Sequence, residues 1–371
     1  MHDWLDKKAG AENVLEQILQ IYPNADVFTL VDFLPQNERG FLKGHNITTS
    51  FIQKLPFAKK KIRLYFPLFP IAVLFFKLKN YDLIISSSHS FVKNIFRNKN
   101  FQKHICYCYT PIRYCYDMKK EYLDDYSKNM FVRFILSFIL SLISFWDRKM
   151  SSNVDYFISI SKHIQKRIKL IYLRNSVPIY PSINYKKYSN VNLNKGDYYV
   201  AASRFVPYKK IDLVIKVFND LPKKKLIIIG DGERFDEYKK LAVNNNIKFL
   251  GWVPESEKIS IFAGARALIY PAYEDFGIVP VEAQACGTPV IAFGEGGLQD
   301  TVIAEGKNKT GIFFKQQTLK SIKKAILNFD KKESEFLSIY CKENAKRFDH
   351  SCFKKSIKSF ILNATISKPI K

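Results

Sequence analysis

Apolar positions along this chain fall into two kinds of run. Short, largely β-branched blocks occur at 26–31, 83–86, 104–107, 156–160, 198–201, 225–229, 247–250, 267–270 and 289–292. Between most of them lie stretches at 11–21, 162–171, 211–219, 234–243 and 280–285 that read as helices, with mixed apolar and polar positions. Near-continuous apolar blocks suit parallel strands covered on both faces, and the intervening stretches suit the helices that cover them. Repeated βα units predict an α/β architecture. The pattern occurs twice, on either side of a polar, strand-poor segment at 184–196. We therefore expect two doubly wound, Rossmann-like domains, 1–183 and 197–350, joined by a linker at 184–196 and followed by a closing segment at 351–371. Each domain should carry its ligand-binding loops at the carboxyl ends of its strands.

Two apolar runs do not fit this alternation. The run 64–76 is broken by Pro67 and Pro70 and is too short to span a bilayer. The run 131–146 is longer, and its polar positions Arg133, Ser137, Ser141, Ser144 and Arg148 follow each other at steps of three or four residues. Those positions form one narrow stripe on a helix whose remaining surface is apolar. Two readings stay open: a helix buried in a domain core, and a helix lying in a membrane interface.

Composition narrows the class. The chain has 371 residues with 47% hydrophobic, too apolar for a disordered polymer. Its 59 Lys and Arg outnumber 34 Asp and Glu, a net charge of +25. An anionic membrane surface, nucleic acid and a Lys-rich composition without specific purpose each account for such an excess. Helix-turn-helix, zinc-knuckle and RNP-type aromatic signatures are absent, so nucleic acid is not the expected partner. Cys106 and Cys108 are spaced as Cys-x-Cys, which is not zinc-binding spacing. We expect Cys106, Cys108, Cys115, Cys286, Cys341 and Cys352 to be reduced thiols in the core, with no metal site. The opening residues lack the basic stretch and apolar run of a secretory signal, and a reducing cytoplasm is the expected compartment.

Candidate chemistry concentrates between 198 and 302. An apolar strand ending at Pro271 leads into a loop with Glu274, Phe276 and Gly277, and then into a helix starting near Pro280 and containing Glu282. Free amides at such a helix start favour an anion, and glycine lets it approach the backbone. Two carboxylates in this arrangement can reach two parts of one polyol ligand. Upstream, Arg204 and Lys209 follow the strand at 198–201, a pair able to clamp a diphosphate. The strand at 225–229 runs into Gly230-Asp231-Gly232, a turn that is weak evidence alone.

Taken together, these elements resemble glycosyltransferase family 4, the retaining sugar-nucleotide transferases of the GT-B fold. Glu274 and Glu282 match the family's E-x7-E motif within EDFGIVPVEAQACGTPVIA, Arg204 and Lys209 its R-x4-K pair, and Gly230–Gly232 its GxG turn. In the N-terminal half, His2-Asp3-Trp4-Leu5 with Gly10-Ala11-Glu12 resembles the opening "HDWL…GGAE" of an O-antigen and capsule subgroup. Segments 82–93, 104–114 and 155–168 match the same subgroup.

The resemblance implies two domains facing each other across a cleft, with the C-terminal helix crossing back to the N-terminal domain. It implies that Glu282 binds the donor ribose, and that Glu274 with the backbone of Phe276, Gly277 and Ile278 holds the sugar and β-phosphate. Gly230, Gly232, Gly10 and the backbone near Val253 are implied as further donor contacts. Arg204 and Lys209 would stabilise the leaving diphosphate without a metal or other cofactor. The implied reaction moves a hexose, with GDP-mannose as first guess, onto a polyprenyl-diphosphate-linked saccharide at the inner face of the cytoplasmic membrane. A catalytically impaired relative or scaffold is the alternative.

Three departures from the pattern bear on that reading. Only Met1 precedes His2, where the family has an apolar first strand; we expect that strand to be encoded upstream. Tyr109 stands where a His usually precedes Thr110-Pro111, which leaves His89 as the substitute candidate. Ala9 replaces the first Gly of a pair, leaving Gly10 alone for close backbone approach.

Overall fold

The computed structural model describes residues 1–191 and 194–366. Asn192 and Leu193 of the expected linker and the last five residues lie outside it, as do the side chains of Arg63, Asp125 and Tyr126. The chain forms two compact units: Met1–Tyr180 together with the residues from Lys354 onward, and Pro181–Phe353.

In the first unit, strands β1 (Val27–Thr29) and β2 (Ile47–Thr49) form a parallel pair. Strands β3 (Leu83–Ser88), β4 (Lys103–Cys108), β5 (Tyr156–Ser159) and β6 (Ser176–Pro178) form a separate parallel sheet in that order. Across the gap between β1 and β3, the first residues of the chain supply the bridges: His2 pairs with Thr29 and Ser87, and Leu5 with Asp32. Helix α1 (Gly10–Ile21) buries Val14, Leu15, Ile18 and Leu19, the periodic apolar positions of its sequence.

Helix α2 (Met130–Met150) corrects one of the two readings of the long apolar run. Its buried residues are Leu140, Ile143, Asp147 and Met150, while Phe131, Phe134, Phe138, Leu142 and Phe145 are each more than half exposed. The helix is therefore not a core helix. Its sequence carries two apolar stripes flanking the polar one, and the first unit covers only one of them. The covered stripe is anchored by a buried ion pair, Lys93 Nζ to Asp147 Oδ1 at 2.7 Å. Asn94 (2.6 Å), Tyr116 (2.9 Å) and Tyr172 of helix α3 (Lys162–Tyr172; 2.7 Å) donate further bonds to the Asp147 carboxylate. Despite burial, Asp147 holds the Lys93 ammonium above its ordinary pKa.

The second unit has a six-stranded parallel sheet: β7 (Tyr199–Ala202), β8 (Leu226–Ile229), β9 (Ile247–Gly251), β10 (Leu268–Tyr270), β11 (Val290–Phe293) and β12 (Gly311–Phe314). Their order is β12-β11-β10-β7-β8-β9. Helices α4 (Ile211–Asn219), α5 (Glu255–Gly264), α6 (Ile278–Ala285) and α7 (Leu319–Lys331) accompany them. The order reverses between β7 and β10, so the loops after these two strands emerge side by side. Val214, Ile215 and Phe218 of α4 and Ile322, Ile326 and Phe329 of α7 are packed in one core cluster with Tyr199, Ile228 and Ile269. Helix α8 (His350–Ile366) begins in this unit, and from Lys354 its residues belong to the first.

The short strands β2, β6 and β12 escape sequence reading because each is three or four residues long in polar surroundings. Within the expected linker, Tyr185–Ser189 is helical and part of the second unit. The Lys-rich stretch at 54–63 contains a helical turn, Ala58–Lys61, with Lys59, Lys60 and Lys61 exposed beside Phe57. Of the six thiols, five are buried as expected and all are free, but Cys352 is exposed on α8.

Candidate active site

The side-by-side loops at the reversal point bring two sequence-predicted residues together. Lys209, in the loop after β7, forms an ion pair with Glu274, in the loop after β10. Tyr270, the last residue of β10, donates to the same Glu274 oxygen at 2.9 Å. Burial and then the Glu274 charge push the Tyr270 phenol well above its ordinary pKa, so it stays a donor. Arg204 lies five residues before Lys209 and is exposed, with no ion pair to a described residue.

Glycines allow these loops to approach so closely. A Cβ on Gly230 (φ +133°) would lie 1.9 Å from the Ser203 carbonyl oxygen. One on Gly232 would lie 2.7 Å from that of Phe205. The Gly-x-Gly turn thus seats the β8 loop against the β7 loop that carries Arg204 and Lys209, with Phe205 N–H donating to Asp231 O at 2.9 Å. Gly277 (φ +91°) turns the chain into α6, and a Cβ there would meet Leu298 at 2.3 Å. Helix α6 begins at Ile278, two residues earlier than expected, so Pro280 still falls in the first turn, where no N–H is needed. Phe276 is buried against Phe348, ring centroids 5.5 Å apart.

Glu282 occupies a second pocket of polar contacts on α6. Lys258 Nζ reaches its Oε2 at 2.9 Å, and the Tyr188 hydroxyl reaches its Oε1 at 3.0 Å. Tyr188 also meets Glu255 at 2.7 Å, and Lys187 pairs with Glu255. Burial raises the Glu255 carboxyl, but the bonds from Lys187 and Tyr188 outweigh it and hold it below its usual range. Val253 is buried next to exposed Trp252, offering backbone rather than polar side-chain contacts.

In the first unit, the predicted residues His89, Tyr109 and Gly10 lie around the opening HDWL segment. The Asp3 carboxylate accepts four backbone amides, those of His89 (2.6 Å), Ser90 (2.8 Å), Phe91 (2.8 Å) and Val92 (3.0 Å). His89 Nδ1 lies 3.3 Å from Asp3 and its ring packs edge-on to Trp4. Burial draws the His89 pKa down although Asp3 opposes it. The Tyr109 hydroxyl donates to Ala11 O at 3.0 Å and meets Ser87 Oγ at 2.8 Å, so its proton is held inside the unit. His2 is buried between Ser87 (3.1 Å) and Glu12 (3.3 Å). Gly10 opens α1 with open space where a Cβ would stand.

Sequence reading missed Tyr188, Lys258 and Tyr270. Tyr188 fell inside the expected linker and Lys258 on a helix not anticipated. Tyr270 was readable, since it ends an apolar strand one turn before Glu274.

Residues 185–348, within the second unit, match the family model for glycosyl transferases group 1. An uncharacterized glycosyltransferase of Methanocaldococcus jannaschii is 32% identical over 206 residues, 53% of this chain and 55% of that protein. The match thus spans about half the length of this curated relative. A GDP-mannose-dependent monoacylated α-(1-6)-phosphatidylinositol monomannoside mannosyltransferase of Corynebacterium glutamicum is 39% identical over 114 residues, 27% of this chain and 30% of that protein. Among solved structures, Anabaena HepE in complex with UDP and glucose superposes with a TM-score of 0.66 at 18% identity, covering 97% of this chain and 99% of its own. The doubly wound units are those of the GT-B fold.

Proposed function

We propose that the protein transfers a hexose from a nucleotide-diphosphate sugar to a lipid-linked saccharide, with retention of anomeric configuration and without a metal. The observation that carries this reading is the meeting of Lys209 with Glu274 at the strand-order reversal, on the same loop as the exposed Arg204. An entering diphosphate takes the two cations, and Glu274 is released to accept from a sugar hydroxyl. Backbone amides at Phe276, Gly277 and Ile278 meet the β-phosphate at the start of α6. Glu282, already held by Lys258 and Tyr188, accepts from the ribose hydroxyls. Val253 and the Gly230–Gly232 turn line the nucleotide, while His89, Tyr109 and Gly10 serve the sugar and acceptor.

In the transfer, the acceptor hydroxyl attacks the anomeric carbon from the face the diphosphate leaves. The carbon–oxygen bond to the diphosphate breaks, and the hydroxyl proton passes to the departing phosphate oxygen. Arg204 and Lys209 stabilise the charge that develops there, a class of effect worth about 2.7–4 kcal/mol per donor removed.

GDP-mannose is the proposed donor, supported by the named specificity of the Corynebacterium relative. The UDP and glucose held by the Anabaena protein make UDP-glucose the competing donor. We further propose an acceptor of the polyprenyl-diphosphate class in surface polysaccharide synthesis, at the inner face of the cytoplasmic membrane. The exposed aromatic stripe of α2 and the exposed lysines beside Phe57 support a seat on an anionic lipid surface. Co-flotation with anionic vesicles, weakened by salt, is expected; equal partition onto neutral vesicles overturns the electrostatic part.

A thermal-shift screen with GDP, UDP and their sugars tests the donor. Stabilisation by one nucleotide series, lost in Glu282→Ala, is expected; persistence in that variant refutes the role of Glu282. One observation favours an impaired relative instead: the Tyr109 proton is committed to Ala11 O. Donor hydrolysis with retained anomer would exclude that second reading.

A further inference from the structure

Tyr188 reaches two carboxylates with a single proton. Its hydroxyl lies 2.7 Å from Glu255 Oε1 and 3.0 Å from Glu282 Oε1. A phenol donates once and an ionised carboxylate only accepts. One of the two contacts is therefore a hydrogen bond, and the other sets two acceptor oxygens face to face. Burial, then the Glu282 charge and the bond to Glu255, push the phenol far above its ordinary pKa, so it keeps its proton. On the strength of the ribose-binding role proposed for Glu282, we infer that Tyr188 is a positioning residue: its hydroxyl donates to Glu255 at rest and turns to Glu282 when a nucleotide ribose arrives.

The surroundings of the two carboxylates set the direction of that turn. Each holds a cation of its own, Lys187 for Glu255 and Lys258 for Glu282. Glu255 begins α5 with its side chain 43% exposed, so water replaces the phenol there at little cost. Glu282 lies inside α6 with only 12% of its side chain exposed. A nucleotide seated on it removes the remaining water, and a desolvated carboxylate depends on the donors around it. Ribose hydroxyls meet part of that demand. The phenol meets more of it by rotation of its O–H alone, since its oxygen is already within bonding distance. Lys258 supports this arrangement twice: its ammonium stands 5.4 Å from the centroid of the buried Tyr188 ring and bonds Glu282 Oε2 at 2.9 Å. Tyr188 and Lys258 then fix one oxygen each, and the carboxylate is held at both ends for the ribose.

Competition for one proton gives two substitutions opposite signs. Tyr188→Phe keeps the buried ring and loses the hydroxyl, so affinity for a ribonucleoside diphosphate should fall about tenfold. Glu255→Gln removes the competing charge and gives up only an exposed ion pair, so affinity should rise about threefold.

Calorimetry on the full chain, with GDP and UDP and with the forms of each that lack both ribose hydroxyls, tests the inference. Both changes are expected with the ribonucleotide that the wild type prefers, and neither with its hydroxyl-free form. With GDP-mannose or UDP-glucose as donor, Tyr188→Phe should raise KM about tenfold and leave kcat within about twofold. Weaker binding in both variants, or unchanged binding in both, overturns the inference, because a packing role carries no opposition of sign. Changes of the same size with the hydroxyl-free nucleotide, or a fall in kcat at constant KM, overturn it as well. A wild type that prefers neither ribonucleotide over its hydroxyl-free form refutes the ribose role of Glu282 itself, and the inference with it. Glu255→Gln alters an exposed side chain and decides the matter alone if Tyr188→Phe does not fold: tighter binding supports the competition, and unchanged or weaker binding refutes it.

Discussion

Both units wind parallel strands between helices, yet they treat polar side chains in opposite ways. In the second unit the sheet is continuous through its reversal point; Arg204, Lys209 and Glu274 stand on the loops that emerge around it, and Glu282 on α6. The partners of Lys209, Glu274 and Glu282 there are other side chains. In the first unit the ladder is interrupted between β1 and β3. There His2, Asp3, Glu12, Ser87 and Tyr109 bond to one another or to backbone.

The sharpest way to break that contrast is at the first unit's buried pair. Lys93→Met leaves the Asp147 carboxylate buried without its cation, and urea unfolding should show a loss of about 3–5 kcal/mol. A loss under about 1 kcal/mol would mean that α2 is held by its apolar contacts instead. In the second unit Lys209→Ala should leave folding intact and lower transferase kcat about 100- to 1000-fold. Similar destabilisation of both variants would erase the distinction between inward and outward polar groups.

Gly230→Ala should cost about 1–3 kcal/mol, from the Ser203 clash and the strained φ, read as a lower Tm. Its donor affinity should fall with it, because the turn holds the loop of Arg204 and Lys209. For a chain starting at Met1, the ammonium titrates near pH 5 folded and near 8.0 unfolded. The folded state then binds fewer protons between those values, so stability is full above pH 8 and falls as pH drops toward 5. The slope is at most about 1.4 kcal/mol per pH unit. The smallest effect belongs to Phe138→Ser on the exposed stripe of α2, within about 0.5 kcal/mol of neutral for folding. The same substitution should weaken vesicle binding, and unchanged flotation would detach α2 from the membrane proposal.

What was legible in the sequence follows from how far each feature depends on neighbours. Five of the second unit's strands, the loops with Arg204, Lys209 and Glu274, and the helix with Glu282 were readable because apolar blocks and glycines are local signals. Tyr188 and Lys258 were not, since they reach Glu282 from segments distant in sequence and carry no pattern of their own. The long apolar run at 131–146 was ambiguous for a different reason. Periodicity reports that a stripe is apolar, not whether protein covers it, and on α2 one stripe is covered and the other is not. Likewise the HDWL segment could be matched as a motif, but the capping of four amides by Asp3 depends on β3 arriving beside it.

The ion pair of Lys209 with Glu274 has a consequence for selectivity. At rest Glu274 neutralises Lys209, so under the proposed donor role its carboxylate acts as a tethered competitor for an anion that arrives there. A diphosphate brings enough charge, and a sugar hydroxyl gives the freed carboxylate somewhere to go. Under the proposed donor role, the resting pair is exchanged when phosphate and sugar arrive together.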